Sequence, residues 1–238
     1  MDPSTPDDLT RRGADALTQH DYAHALSCFT AALGQRSDDL SLRCYEVAAL
    51  LGLARYAEAL EKIDAILAGT PLDAVNRAHI LVGKANALAG LDRWHEAEQV
   101  IEEALQVLKE HANAWVLRAR IALHAGDHKK SLESLRKAIE AGVETPDEAQ
   151  LMAGWCLLKL QRFDEAKDDF FDVMLHQGGR MPQAFWGMAT AARELGEMPL
   201  AIQYCEQYVR LVQLGGDASA ASLATAERML DELRHGDA

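Results

Sequence analysis

Six times along the chain a small residue is followed four positions later by a bulky or apolar one: Ala25/Phe29, Ala59/Ile63, Ala97/Ile101, Ser131/Leu135, Ala166/Phe170 and Ala201/Cys205. The small residues lie 34, 38, 34, 35 and 35 positions apart. A period near 34 residues that survives two insertions belongs to stacked helix pairs, in which one repeat cannot bury its apolar face without its neighbour. Ala and Leu dominate, β-branched runs are missing and Pro occurs only 6 times in 238 residues, so helix is favoured nearly throughout.

Setting the small residue at position 20 of each repeat gives repeats 6–39, 40–73, 78–111, 112–145, 147–180 and 182–215, after a short N-terminal segment 1–5. Position 8 then holds Gly13, Val47, Ala85, Ala119, Gly154 and Ala189, mostly small enough for the first helix of a pair to approach the second closely. Position 17 holds Tyr22, Tyr56, Trp94, His128, Phe163 and Met198, large side chains that plug the base of the hairpin. The pattern predicts helices over 7–18, 22–34, 40–52, 56–68, 74–90, 94–108, 112–124, 128–141, 146–160, 164–176, 181–195 and 199–213. Asp7, Thr145 and Asp147 suit helix starts, Pro182 a first turn, and Gly69, Gly142 and Gly178-Gly179 helix ends. The extra residues TPLDAV before the third repeat lengthen its first helix or enlarge the preceding turn. Beyond Gly215-Gly216 a single helix near 218–234 carries Leu223, Ala226, Leu230 and Leu233 on one stripe, as a capping helix requires; docking or dimerisation is the other use of such a stripe.

The segments HDYAHALSCFTAAL, LARYAEAL, DRWHEAEQVIEEAL, QRFDEAKDDF and AWVLRARIAL carry a resemblance to the tetratricopeptide repeat family. That family's pattern places Trp, a Leu-Gly pair and Tyr on the first helix and Ala-x-x-x-Phe on the second. The resemblance covers residues 6–215, with Arg43 and Gln150 departing from large apolar positions and Tyr208 from a small one. It implies an all-α fold: a right-handed superhelical solenoid of about six helix pairs, closed by the C-terminal helix and tail over 216–238.

In the resembled family the first helix of each pair lines a concave groove through positions 2, 5, 9, 12 and 13. Carried onto this chain, those positions include Cys44, Ala48, Leu51 and Gly52 in the second repeat and His79, Val82, Asn86 and Gly90 in the third. Further along come Asn113, Val116 and Arg120, then Leu151, Trp155, Leu158 and Lys159, and finally Trp186 and Arg193. Trp155 and Trp186, flanked by Val116, Leu151 and Leu158, form a candidate hot spot with Arg120, Lys159 and Arg193 as a polar rim. The alternative is that both tryptophans tuck into repeat interfaces or under the capping helix, as Trp94 and Trp115 do at core positions. Asn86, Asn113 and Arg120 offer a smaller polar site, or are ordinary partly solvated helix residues. Thr10 and Ala14 stand where a carboxylate-clamping member of the family carries basic and amide residues, which disfavours a chaperone-tail adaptor.

Other chemistry finds little footing. A net charge of −13 disfavours nucleic acid and anionic membranes, whose binding needs clustered Lys and Arg. No apolar run reaches membrane-spanning length, and the acidic, Pro-containing start MDPSTPDDLT is unlike a secretory signal, so a cytoplasmic protein is expected. Cys28, Cys44, Cys156 and Cys205 lie far apart and read as reduced core or groove residues. The pairs His20/His24 and His124/His128 straddle turns and lack a third ligand, so no metal or other cofactor is expected. Asp164, Glu165, Asp168, Asp169 and Asp172 form an acidic patch on a convex helix face with no cleft to shift a carboxylate. Lys130 and Lys137 occupy the same repeat positions as Glu165 and Asp172, which predicts ion pairing between repeats. No phosphate loop, nucleophile elbow or dinucleotide fingerprint is present. The expectation is a non-catalytic scaffold, monomeric or weakly self-associating, that binds a partner-protein segment with apolar anchors and acidic groups. The alternatives are a chaperone for a bacterial secretion or assembly subunit, and a self-associating structural protein.

Overall fold

The computed structural model describes residues 5–215 and 220–235, and every regular element within them is helical. The helices are α1 (Pro6–Thr18), α2 (Tyr22–Leu33), α3 (Leu40–Gly52), α4 (Tyr56–Gly69), α5 (Ala74–Gly90), α6 (Trp94–Val107), α7 (Ala112–His124), α8 (His128–Glu140), α9 (Pro146–Lys159), α10 (Phe163–His176), α11 (Pro182–Glu194), α12 (Met198–Gln213) and α13 (Ala220–His235). For α3, α5 and α7 the bounds are those the periodicity predicts. The residues TPLDAV lengthen a helix: α5 begins at Ala74 behind Asp73, whose carboxylate accepts the Asn76 N–H at 2.7 Å. At the first helix Thr5, not Asp7, is the cap, its hydroxyl accepting the Asp8 N–H. Gly216, taken with Gly215 as the break before the last helix, lies outside the described residues.

The turns inside the helix pairs repeat one geometry. His20, Ala54, Asp92, Gly126, Gln161 and Gly196, all at the same repeat position, have φ between 56° and 76°, in the left-handed region. Each is followed by an N–H that reaches back across the turn at 2.9 Å: Asp21 to the Ala16 carbonyl, Arg55 to Leu50, Arg93 to Leu88, Asp127 to Ala122, Arg162 to Leu157 and Glu197 to Ala192. This is the Schellman closure, which satisfies carbonyls at the end of the first helix and reverses the chain. The residue after the turn starts the second helix in one of two main ways. Asp21 and Asp127 accept a backbone N–H three residues on. Arg55, Arg93 and Arg162 instead grip Glu58, Glu96 and Glu165 through two nitrogens each at 2.5–2.7 Å. Those hydrogen bonds hold the three glutamates below the usual carboxylate range, and they place negative charge near the helix N-terminus where the helix dipole favours it.

The chain divides into two compact units, Met1–Ile121 and Ala122–Ala238, with the division inside α7. In the first unit Phe29 is fully buried with Ala25, Ala32, Leu42 and Ala49, and a second cluster gathers Leu81, Ala85, Leu88, Ile101, Leu105, Leu117 and Ile121. In the second, Phe170 is fully buried between α9 and α11, while α13 lays Ala226, Met229 and Leu230 over Cys205, Tyr208 and Ala189. Close approach explains several of the small residues. A Cβ at Gly154 would sit 2.6 Å from the Phe170 ring, and one at Gly90 would sit 2.5 Å from the ring of Tyr56. The large residue at position 17 therefore does more than plug its own hairpin, because Tyr22 and Tyr56 lie over Gly52 and Gly90 of the following first helix. Gly52 and Gly90 are exposed, and each also has the tyrosine ring of the preceding hairpin packed against it. Tyr208, at a position where a small residue is usual, is buried against Trp186 and hydrogen-bonded to Ser222 of α13.

Candidate functional site

In the first unit α3 and α5 flank an open recess of about 510 Å³ whose floor is α4. Cys44, Val47, Ala48 and Leu51 of α3 line it with Ile63 and Ile66 of α4 and His79, Ile80 and Gly83 of α5. The wall is almost wholly apolar because α3 presents one face at helical spacing, while α4 contributes its buried Ile63 and Ile66. Burial pushes the Cys44 thiol up, so it stays protonated and acts as a small apolar group. The register that follows the family places Cys44, Ala48, Leu51 and His79 toward a groove. Ile63 and Ile66 of the floor and Ile80 of α5 carry no signal that separates them from ordinary core.

His79 is held from outside the recess. The Nε2 of His111 lies 2.9 Å from Nδ1 of His79, and Nδ1 of His111 accepts the N–H of Ala114 at the start of α7. The second bond fixes the tautomer: the proton of neutral His111 sits on Nε2 and is donated to His79. His111 is buried, and burial followed by the neighbouring imidazole lowers its pKa below the ordinary histidine value. This pair escapes a search for short His spacing because 32 residues separate its members.

The other first-unit candidates are more dispersed. Val82 is half-buried against the core, Val116 and Asn86 are half-buried, and Asn113 and Arg120 are exposed. Among the described residues no hydrogen bond joins Asn86, Asn113 and Arg120. Trp94 packs on the core, as does Trp115, whose indole N–H donates to the Lys109 carbonyl at 2.7 Å.

In the second unit α9 and α11 pack together and carry the two tryptophans. Neither stands free in solvent. Trp155 is half-buried with its ring edge-on to Phe170 at 5.2 Å, and Leu151 and Leu158 beside it are also half-buried. Lys159, exposed in the last turn of α9, suits the negative end of that helix. Trp186 rests against Tyr208 at 5.5 Å, yet it also lines an open cleft of about 700 Å³ with Thr190, Arg193, Thr225, Arg228, Met229 and Glu232. Four of these belong to α13, so the capping helix also forms a wall. The family register includes Trp186 and Arg193 but not Arg228, because α13 lies outside the repeats from which that register is read.

The acidic patch is built differently from the expected one. Asp169 is buried, and Arg136 of the preceding helix pair reaches both its oxygens at 2.7 and 2.9 Å. Gln150 adds a bond to Asp169 and another to Asp172. Burial raises the Asp169 pKa even so, which corrects the expectation that this face leaves its carboxylates unperturbed. Glu165 is taken by Arg162, and Lys137 pairs with Glu133 on its own helix. One inter-repeat link runs through Arg136 and Asp169, because Arg136 lies where a guanidinium can reach inward to a buried acid. Among the described residues no group of three His, Cys, Asp or Glu side chains is arranged to hold a metal ion, and no helix is long and apolar enough to cross a membrane.

The profile of the tetratricopeptide repeat family matches residues 82–144 and 151–219. Among curated proteins no sequence matches. Solved structures do. YrrB, described as a tetratricopeptide repeat protein with an unusual peptide-binding site, aligns at a TM-score of 0.66 and 20% identity over 85% of this chain and 98% of its own. TTC0263 of Thermus thermophilus, a thermophilic protein of the same repeat type, gives 0.61 and 20% over 85% and 98%. A tetratricopeptide repeat protein of Parabacteroides merdae gives 0.64 and 16% over 97% and 87%. At these identities the structural likeness shows the fold alone. Two profile matches that together span more than half the sequence place this chain in the tetratricopeptide repeat family.

Proposed function

We propose that this protein is a non-catalytic scaffold that binds a peptide or helical segment of a partner protein on the faces presented by the first helices of its pairs. The observation that carries this reading is the apolar recess between α3 and α5, open to solvent and lined by Val47, Leu51, Ile63, Ile66 and Ile80. An aliphatic anchor entering it would gain about 1.5–3 kcal/mol from burial, a large share of a modest peptide affinity. The fold supports the reading, and YrrB, which shares it, is described by its peptide-binding site. Four free cysteines fit work in a reducing cytoplasm.

Ala48 gives a clean test because it is exposed at the recess and is not part of the core. Ala48→Glu places a charge at the mouth. A partner recovered with the wild-type chain should lose about tenfold or more in affinity, as expected when an apolar anchor meets an unpaired charge. Ala57→Glu, an exposed change on α4 away from the recess, should leave affinity intact. Equal affinity for Ala48→Glu and wild type, with unchanged thermal unfolding, contradicts the reading.

A further inference from the structure

The cleft of the second unit differs chemically from the recess of the first. On α11, Trp186, Thr190 and Arg193 recur at helical spacing along one face; on α13, Thr225, Arg228, Met229 and Glu232 do the same. The opposite side of α13 is anchored. Ala226 and Leu230 are buried, the Cys205 thiol donates to the Ala226 carbonyl at 3.2 Å, and Arg234 pairs with Glu206 of α12. That anchoring fixes the height at which Arg228 meets the cleft.

Two cations and one carboxylate line this space, on a chain whose net charge is −13. Arg193 is held by its neighbour Glu194, in a pair that is 40% and 41% exposed, so a ligand carboxylate can compete for it. Among the described residues Arg228 forms no hydrogen bond or ion pair, with Glu232 of its own helix or any other group. Between the two guanidinium groups the floor is apolar, supplied by Trp186 and the buried Met229. A long polyanion would feel the repulsion of the whole acidic chain. A short segment with one or two carboxylates feels mainly the charged groups at the cleft itself, since charges beyond about 8–10 Å are screened.

We propose that α11 and α13 together bind an acidic segment of a partner protein, with its apolar side chain on Trp186 and Met229 and its carboxylates on Arg193 and Arg228. The proposal rests on the segment-binding reading above and deepens it: the C-terminal helix supplies half of the site as well as the cap.

The test uses the full chain and an array of synthetic peptides with a central Leu, Phe or Trp flanked by Glu, Gln or Lys. Glu-flanked peptides should bind about tenfold better than their Gln counterparts, the effect of one charge-assisted hydrogen bond, and Lys-flanked ones weakest. Arg228→Gln and Arg193→Gln should each remove most of that preference. Arg210→Gln, an exposed change on α12 outside the cleft lining, should preserve it. Binding that is equal for Glu and Gln peptides overturns the acidic specificity while segment binding stands. A preference that survives both arginine variants overturns this site, as does complete displacement of the Glu peptide by an equimolar single-stranded oligonucleotide. No binding in any series overturns this proposal and the segment-binding reading together.

Discussion

At the scale of single residues, the turn position shared by His20, Ala54, Asp92, Gly126, Gln161 and Gly196 shows how much of a repeat can be invisible in sequence. Its left-handed backbone is uniform, yet its residue types have nothing in common except that two are Gly. A Cβ in this region costs about 1 kcal/mol, which the Schellman bonds and the packing of the pair override. Ala54→Gly should therefore stabilise the first unit by roughly 0.5–1 kcal/mol and Gly126→Ala should destabilise its own turn by a similar amount. Urea unfolding of each variant checks the two signs. Gly90 makes the opposite kind of demand. With Tyr56 ring carbons 2.5 Å from where its Cβ would fall, Gly90→Ala must displace the ring, and a loss of about 1–3 kcal/mol is expected in the same assay. Position 8 is legible because smallness shows in the residue type; the stacking role of Gly52 and Gly90 is not, because it depends on where the preceding Tyr lands.

At the scale of helices and their junctions, helix extent is almost wholly legible, since Gly breaks, Pro182 and the apolar period all mark the same boundaries. Junction chemistry is less so. The link between α5 and α7 is made by His79 and His111, and its pH dependence has a definite sign. Because burial lowers the His111 pKa in the folded state, the unfolded chain takes up the proton first as pH falls. Stability should be flat above the unfolded histidine value of about 6.5, decline as pH drops through it, and level off once folded His111 is itself protonated. Chemical denaturation between about pH 8 and about pH 5.5 should show this slope in the wild type and a shallower one in His111→Gln. Equal slopes would mean that the imidazole is not the titrating group. The acidic helix α10 teaches the same lesson from the other side. Its charge density is plain in sequence, but the burial of Asp169 under Arg136 follows from the packing of α8, α9 and α10, which residue spacing alone does not define.

At the scale of the whole molecule, the all-α class and the family are readable from recurrence, because a repeat multiplies weak local signals. The candidate sites are only partly so. Trp155 and Trp186 lie on neighbouring first helices, as their repeat positions require, but which way a half-buried indole leans is decided by Phe170 and Tyr208 beneath it. The recess of the first unit gains its floor from α4, and the cleft of the second gains a wall from α13, neither of which the first-helix register contains. The central claim is that partners dock on first-helix faces. It is tested most directly by placing a photo-cross-linking residue at Ala48 or Thr190, and in parallel at the exposed second-helix positions Ala57 and Gln203, in the full chain with its recovered partner. The account predicts cross-links to a short stretch of the partner from Ala48 or Thr190 and none from Ala57 or Gln203. Cross-links confined to Ala57 and Gln203 would contradict it.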